Sequence, residues 1–156
     1  MNRIFADADV GRKNIVFGIT LFVILGLVVG IPLTINFFGG SVLTYAQYQT
    51  WKVVHGYGVF LGFINYFFGL LIDRLDLTRR QKETSSWSIL IAGLIGGVAR
   101  MTLVLLSALG DYGIYASLGE VIFIALGTII FLHGQIRVLN WPRHDAQLPR
   151  RSARSH

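Results

Sequence analysis

The sequence is built from four long apolar stretches that are separated by short polar segments. These stretches cover residues 14–38, 51–72, 87–109 and 114–139. Each is long enough to cross a hydrocarbon layer of about 30 Å, because a helix that does so needs about 20 residues. The stretches are continuous and do not alternate between apolar and polar positions, as the strands of a membrane barrel would. The pattern therefore predicts four membrane-spanning helices.

The composition favours an integral membrane protein over a soluble one. Hydrophobic residues make up 53% of the 156 residues and charged residues 14%, and the mean hydropathy is +0.59. A soluble domain of this length carries more charge. We therefore predict an all-α fold, an integral membrane four-helix bundle formed by residues 1–142. A basic, disordered cytoplasmic tail is expected at residues 143–156.

Positive charge is concentrated before the first stretch, between the second and third, and after the fourth. The residues concerned are Arg3, Arg12, Lys13, Arg74, Arg79, Arg80, Lys82, Arg137, Arg143, Arg150, Arg151 and Arg154. The other two loops carry almost none, apart from Lys52 at the start of the second stretch. The positive-inside rule then predicts that both termini are cytoplasmic, in a bacterial inner membrane. This bias and attraction to anionic lipid explain the formal charge of +6, so the expected partner is the lipid bilayer and not a nucleic acid.

The sequence contains no cysteine. A disulfide framework, a thiolate-ligated haem and a cysteine-ligated iron–sulfur cluster are therefore excluded. Any chemistry must use histidine, carboxylate, arginine, tyrosine or amide groups.

His55 is the most informative position, because it lies about one helical turn inside the second apolar stretch. A histidine at that depth is costly to bury in lipid unless something binds it, which makes it a candidate for a functional site. At about 100° per residue, it shares one side of its helix with Gly58, Gly62, Tyr66 and Gly69. It therefore faces either a close helix contact or a planar ligand inserted there.

Glycine pairs with a spacing of four residues occur in three of the stretches. They are Gly26 and Gly30, Gly58 and Gly62, and Gly93 and Gly97. Such pairs let helix backbones approach closely where lipid provides no hydrophobic driving force. We expect them to act mainly in the packing of a compact bundle.

Two further ionisable residues, Arg100 and Glu120, lie within the third and fourth stretches. Both are expected in the outer half of the membrane and should point into the bundle, because small residues share their helix faces. One interpretation is a structural ion pair that neutralises both groups. The other is functional: Arg100 holds an anionic group such as a haem propionate, and Glu120 orients or transfers a proton. Tyr57 lies at the same end, where tyrosines usually form an interfacial belt.

One segment also resembles a known family. In a small, cysteine-free, four-span chain with a basic tail, Trp51 four residues before His55 and the glycine-rich turns that follow resemble the membrane-bound styrene oxide isomerases. The resemblance implies that His55 is the axial ligand of one haem b per chain, at a subunit interface of a homotrimer. It also implies that ferric iron acts as a Lewis acid on a small lipophilic epoxide, which becomes a carbonyl compound.

The resemblance, together with the depth and helix face of the ionisable residues, suggests which residues surround the haem. Expected at the cofactor, besides His55, are Gly58, Gly62 and Arg100. Expected as catalytic residues are Glu120, Asn65 and Tyr57. Asn65 is the nearest amide to an asparagine that the family has about two turns after its histidine. The family also has an aspartate and a tyrosine on the third span, where this chain has Gly96, Arg100 and Val104.

Other functions stay open. One alternative is a small structural or electron-transfer subunit of a larger respiratory or photosynthetic membrane complex. Another is a haem-based electron carrier or sensor. The histidine segment also resembles the second helix of the large haem–copper oxidase subunit, which supports haem more than it supports any particular reaction. An absorption spectrum and an assay of epoxide conversion without an electron donor distinguish these functions.

Overall fold

The computed structural model describes residues 9–106 and 109–139, except for the side chains of residues 109 and 111, and these parts of the chain are helical and contain no strand. Four long helices follow one another: α1 (Arg12–Phe37), α2 (Tyr45–Arg74) and α3 (Arg79–Leu105), then α4 (Leu109–Leu139). All four are long and apolar enough to cross a membrane. The predicted all-α fold with four spans is thereby confirmed. The cytoplasmic placement of both termini stays a prediction, and the predicted tail at residues 143–156 lies outside the described residues.

Two helices begin earlier than the apolar stretches indicated. The side chain of Thr44 accepts a hydrogen bond from the backbone N–H of Gln47, and the Gln47 side chain accepts one from the N–H of Thr44. Thr78 and Gln81 form the same reciprocal cap at the start of α3. Such caps satisfy N–H groups that a helix start leaves without partners. The first turns of α2 and α3 therefore precede the apolar stretches.

Glycines bring α1 and α2 into close contact. A methyl group added at Gly62 would lie 3.0 Å from the backbone oxygen of Gly18, and one added at Gly58 would overlap the side chain of Leu25. On α3, a methyl group at Gly97 would lie 2.9 Å from Leu21. These contacts show that Gly58, Gly62 and Gly97 let helices pack closely, as expected where lipid supplies no driving force.

Apolar side chains form both the centre and the outer surface of the bundle. The central cluster consists of Leu21, Leu25, Val29, Leu33, Val54 and Leu61. Large apolar side chains also cover the outside of every helix, among them Val16, Ile31, Phe60, Leu94 and Val121. Apolar outer surfaces of this extent suit contact with lipid rather than with water.

Two of the helices contain a stretch in which the hydrogen-bond register is shifted. Phe22–Val28 in α1 and Leu94–Ala99 in α3 are π-helical, so that each N–H bonds a carbonyl five residues back instead of four. At the end of such a stretch, the register returns to four and one carbonyl can lose its usual N–H partner. Both shifted stretches lie beside ionisable side chains that the sequence singled out.

Candidate functional site

His55 lies on α2 and faces α1. Its ring is half-buried, and Nδ1 lies 2.9 Å from the backbone oxygen of Leu25. Because a carbonyl oxygen only accepts hydrogen bonds, Nδ1 must carry the proton and donate it. The neutral ring then has its lone pair on Nε2, which is the form of imidazole that binds a metal ion.

The register shift in α1 explains why the Leu25 oxygen is available. In a regular α-helix the N–H of Val29 would bond this oxygen, but here it bonds the oxygen of Ile24, five residues back. The carbonyl of Leu25 is released from that bond and accepts one from His55 instead. The backbone of α1 thus sets both the tautomer and the orientation of the imidazole.

An open groove lies between the C-terminal half of α1 and the N-terminal part of α2, beside His55. Its volume is about 790 Å³. The residues that line this His55 groove are Gly26, Leu27, Gly30, Ile31, Leu33, Thr34, Ile35, Phe37, Phe38, Tyr48, Lys52 and His55. A methyl group at Gly30 would lie only 3.1 Å from Cε1 of the imidazole. The ring fits in this position because Gly30 has no side chain.

The His55 groove has the chemical features that a haem requires. It supplies an imidazole with a free Nε2, apolar walls for a large planar ring, and glycine backbone where a side chain would obstruct the ring. Its volume lies within the range of about 300–1,000 Å³ that is usual for ligand sites. The residues present therefore fit an axially ligated haem.

Arg100 and Glu120 form a buried ion pair in a different part of the bundle. A terminal guanidinium nitrogen of Arg100 lies 2.7 Å from a carboxylate oxygen of Glu120, and the two residues are 6% and 4% exposed. The same arginine donates to Ser117 at 3.3 Å, and its guanidinium lies 4.2 Å from the ring centre of Tyr57. The ion pair that the sequence suggested as one of two interpretations is present.

The π-helical stretch of α3 provides a further hydrogen bond to Arg100 of this ion pair. The N–H of Arg100 bonds the oxygens of Gly97 and Ile95 and not that of Gly96, the usual α-helical acceptor. The oxygen of Gly96 accepts from Nε of the Arg100 side chain at 3.2 Å. The guanidinium is therefore held by its own helix on one edge and by Glu120 on the other. Both π-helical stretches release a carbonyl to an ionisable side chain.

The His55 groove and the ion pair lie on different sides of α2. His55 and Tyr57 are separated by about 200° around the helix, and they contact α1 and Arg100 of α3, respectively. Within one chain the structure does not bring Tyr57, Arg100 or Glu120 to the imidazole. Any direct contribution of these three residues to chemistry at His55 stays a prediction.

Asn65 lies at a third place, about 15 Å along α2 from His55. Its amide nitrogen donates to the oxygens of Leu61 and Ile89, and its amide oxygen accepts from Asn14. The side chain is fully buried between α1, α2 and α3. All its hydrogen-bonding atoms are engaged in holding helices together.

A family model described as styrene oxide isomerase matches residues 11–133. The chain belongs to the styrene oxide isomerase family. No curated protein and no solved structure matches it. Family membership confirms the resemblance seen around Trp51 and His55 and, with the four apolar helices, makes the chain a multi-pass membrane protein.

The match with the styrene oxide isomerase family covers the whole of the His55 groove and the ion pair. Gly58 and Gly62, expected at the cofactor, contact Leu25 and Gly18 of α1, and neither lines the groove. Sequence reasoning did not single out Gly30 for its contact with the imidazole or the Leu25 carbonyl as its acceptor. It noted Lys52 only as a positive charge in an unusual place, whereas the structure puts this residue in the groove.

Proposed function

We propose that this protein is a membrane-bound isomerase that binds one haem b through Nε2 of His55 and converts a small lipophilic epoxide into a carbonyl compound. The observation that carries the proposal is the imidazole itself: it is held by the Leu25 carbonyl in the metal-binding tautomer, beside an apolar groove. Membership of the styrene oxide isomerase family supports the reaction type.

When bound, a ferric haem supplies a Lewis acid that polarises the oxygen of an epoxide. The chain contributes orientation and environment. The hydrogen bond from Nδ1 to Leu25 fixes the imidazole and raises its basicity as a ligand. The apolar side chains of the groove, such as Ile31 and Phe37, favour a lipophilic substrate and exclude water. The reaction is an isomerisation, so it needs no electron donor.

The position of the groove also supports a homo-oligomer. Several of its residues, including Leu27, Ile31 and Phe37, are strongly exposed on the outer surface of α1. A ligand in the groove therefore has one side that this chain does not cover. We expect a second copy to cover it, in a trimer by analogy with the family and in a bacterial inner membrane.

The Arg100 and Glu120 side chains have a structural role in this proposal, because each is the other's partner at 2.7 Å within the bundle. Asn65 is likewise assigned to helix packing, since its amide is fully engaged. Tyr57 covers the Arg100 guanidinium. The residues to which the proposal assigns the haem and the substrate are those of the His55 groove.

The test is the absorption spectrum of the purified protein beside that of His55→Ala and of a control, His133→Ala. His133 is an exposed histidine on α4, so its loss should leave haem binding unchanged. We expect a Soret band in the wild type and in His133→Ala and none in His55→Ala. Equal haem content in His55→Ala and the wild type contradicts the proposed ligand.

Epoxide conversion separates an isomerase from the alternatives. We expect the wild type to form a carbonyl compound from a small aromatic epoxide under anaerobic conditions without any electron donor. A Soret band without this turnover would indicate an electron carrier or sensor. A protein that has neither haem nor turnover would instead be a structural subunit of a larger complex.

A further inference from the structure

Lys52 is an exception in the charge pattern of the chain. Between Lys13 and Arg74 it is the single lysine or arginine, and no aspartate or glutamate occurs between Asp9 and Asp73. The parts of α1 and α2 that line the His55 groove therefore carry one cation, Lys52, and no carboxylate. The position of Lys52 departs from the positive-inside pattern, because the other lysines and arginines outside the apolar stretches lie near the termini or between the second and third stretches.

The structure places this cation at the His55 groove. Lys52 precedes His55 by three residues, so the two lie on neighbouring positions of one helix face, and both line the groove. The ammonium nitrogen lies 5.5 Å from the ring centre of Tyr48, which also lines it. Lys52 is exposed, and its ammonium group is free to turn towards a ligand in the groove.

The other cation in the outer half of the bundle has a different role. Arg100 is buried and is held by Glu120, Ser117 and the oxygen of Gly96. If Arg100 bound a ligand instead, the Glu120 carboxylate would stay buried without its partner, which is energetically costly in a bundle core. Of the two cations, Lys52 is the one that a ligand of the groove can bind without breaking an existing ion pair.

We propose that Lys52 binds a carboxylate of the planar ligand in the His55 groove, which is a propionate of haem b. This inference rests on the proposed function. It replaces the sequence-based expectation that Arg100 holds the propionate. The groove then has an apolar part for the ring, an imidazole for the iron and a cationic end for the carboxylate. An interfacial lysine that only extends its ammonium group to water would show no preference for a carboxylate ligand.

The test compares two ligands that differ only in their carboxylates. Purified protein, freed of bound haem, is titrated with ferric protoporphyrin IX and with its dimethyl ester, and the Soret band gives each dissociation constant. We expect the wild type to bind the diacid about two- to fivefold more tightly than the ester, in the range of a partly solvated ion pair. Lys52→Gln should lose this preference, and Lys52→Arg should keep it.

Two controls make the result specific. Arg80→Gln removes an exposed cation at the other end of α2 and α3 and should keep the wild-type preference. The ester affinity of Lys52→Gln should equal that of the wild type, which shows that the groove is intact. A preference for the diacid that persists in Lys52→Gln overturns the inference, as does an equal loss for diacid and ester.

The same titration separates this inference from the proposed function. Equal binding of diacid and ester by the wild type, with a Soret band that depends on His55, overturns the role of Lys52 and leaves the haem site in place. No Soret band with either ligand overturns the haem site, and the role of Lys52 with it.

Discussion

Replacing Gly30 by alanine tests whether the imidazole of His55 is positioned by α1. The added methyl group would lie 3.1 Å from Cε1 and 3.5 Å from Nδ1 of His55. Ordinary contact between such atoms begins at 3.4 Å, so the ring must move by a few tenths of an ångström. That movement lengthens the hydrogen bond from Nδ1 to the Leu25 oxygen, now 2.9 Å.

The size of the effect follows from this hydrogen bond. A hydrogen bond of this kind contributes about 0.5–1.5 kcal/mol, and loss of the partner that orients a metal-binding histidine typically lowers metal affinity about 10–100-fold. We therefore expect Gly30→Ala to bind haem about tenfold more weakly than the wild type. Its thermal stability should change little. Alanine is favoured over glycine in a helix by about 0.5–1 kcal/mol, and this gain offsets the weakened hydrogen bond.

The assay is a Soret titration of apo-protein together with thermal unfolding in the same detergent. Gly56→Ala is the matched control: it lies next to His55 in the chain, and a methyl group there has no atom within 4 Å. We expect Gly56→Ala to bind haem as the wild type does. Wild-type affinity in Gly30→Ala would refute the reasoning, and so would an equal loss in both variants.

Two further predictions concern buried polar side chains that the site proposal leaves to packing. Glu120→Gln leaves the Arg100 cation buried without its carboxylate, and we expect the free energy of unfolding to fall by about 3–5 kcal/mol. The control, Glu83→Gln, removes an exposed ion pair and should have little effect on this free energy. Similar unfolding temperatures for these two variants would contradict a structural role of the pair. Asn65→Ala removes the hydrogen bonds to Asn14 and to two carbonyls, so we expect a loss of about 1–3 kcal/mol with unchanged epoxide conversion per folded molecule. A fully folded but inactive Asn65→Ala protein would show that the amide acts in catalysis.

The sequence by itself was enough to determine the four helices and the position of His55. Continuous apolar runs of this length have few solutions other than helices, because lipid offers no partners for backbone groups. His55 stood out because ionisable groups are rare inside such runs. The glycines on its face indicated that it faces either a close helix contact or a planar ligand. The structure bears out that direction, since the ring contacts α1.

Helices α2 and α3 begin before the apolar stretches that the sequence marks. The apolar stretches begin at residues 51 and 87, whereas the helices begin at Tyr45 and Arg79. A capped first turn can be polar when it lies outside the hydrocarbon layer, so hydrophobicity does not mark it. The capping residues Thr44 and Thr78 were the available signal.

Only the tertiary structure decided how the candidate site is assembled. Every residue has a carbonyl, so no sequence pattern distinguishes the Leu25 oxygen as the acceptor for His55; the π-helical register of α1 does so. The contact of Arg100 with Glu120 and of Asn65 with Asn14 depends on how far each helix is shifted and rotated against its neighbour. A helical repeat fixes which face a side chain occupies, but packing between helices decides which helix lies opposite that face. For this reason Lys52 lines the His55 groove, whereas Arg100 pairs with Glu120 elsewhere in the bundle.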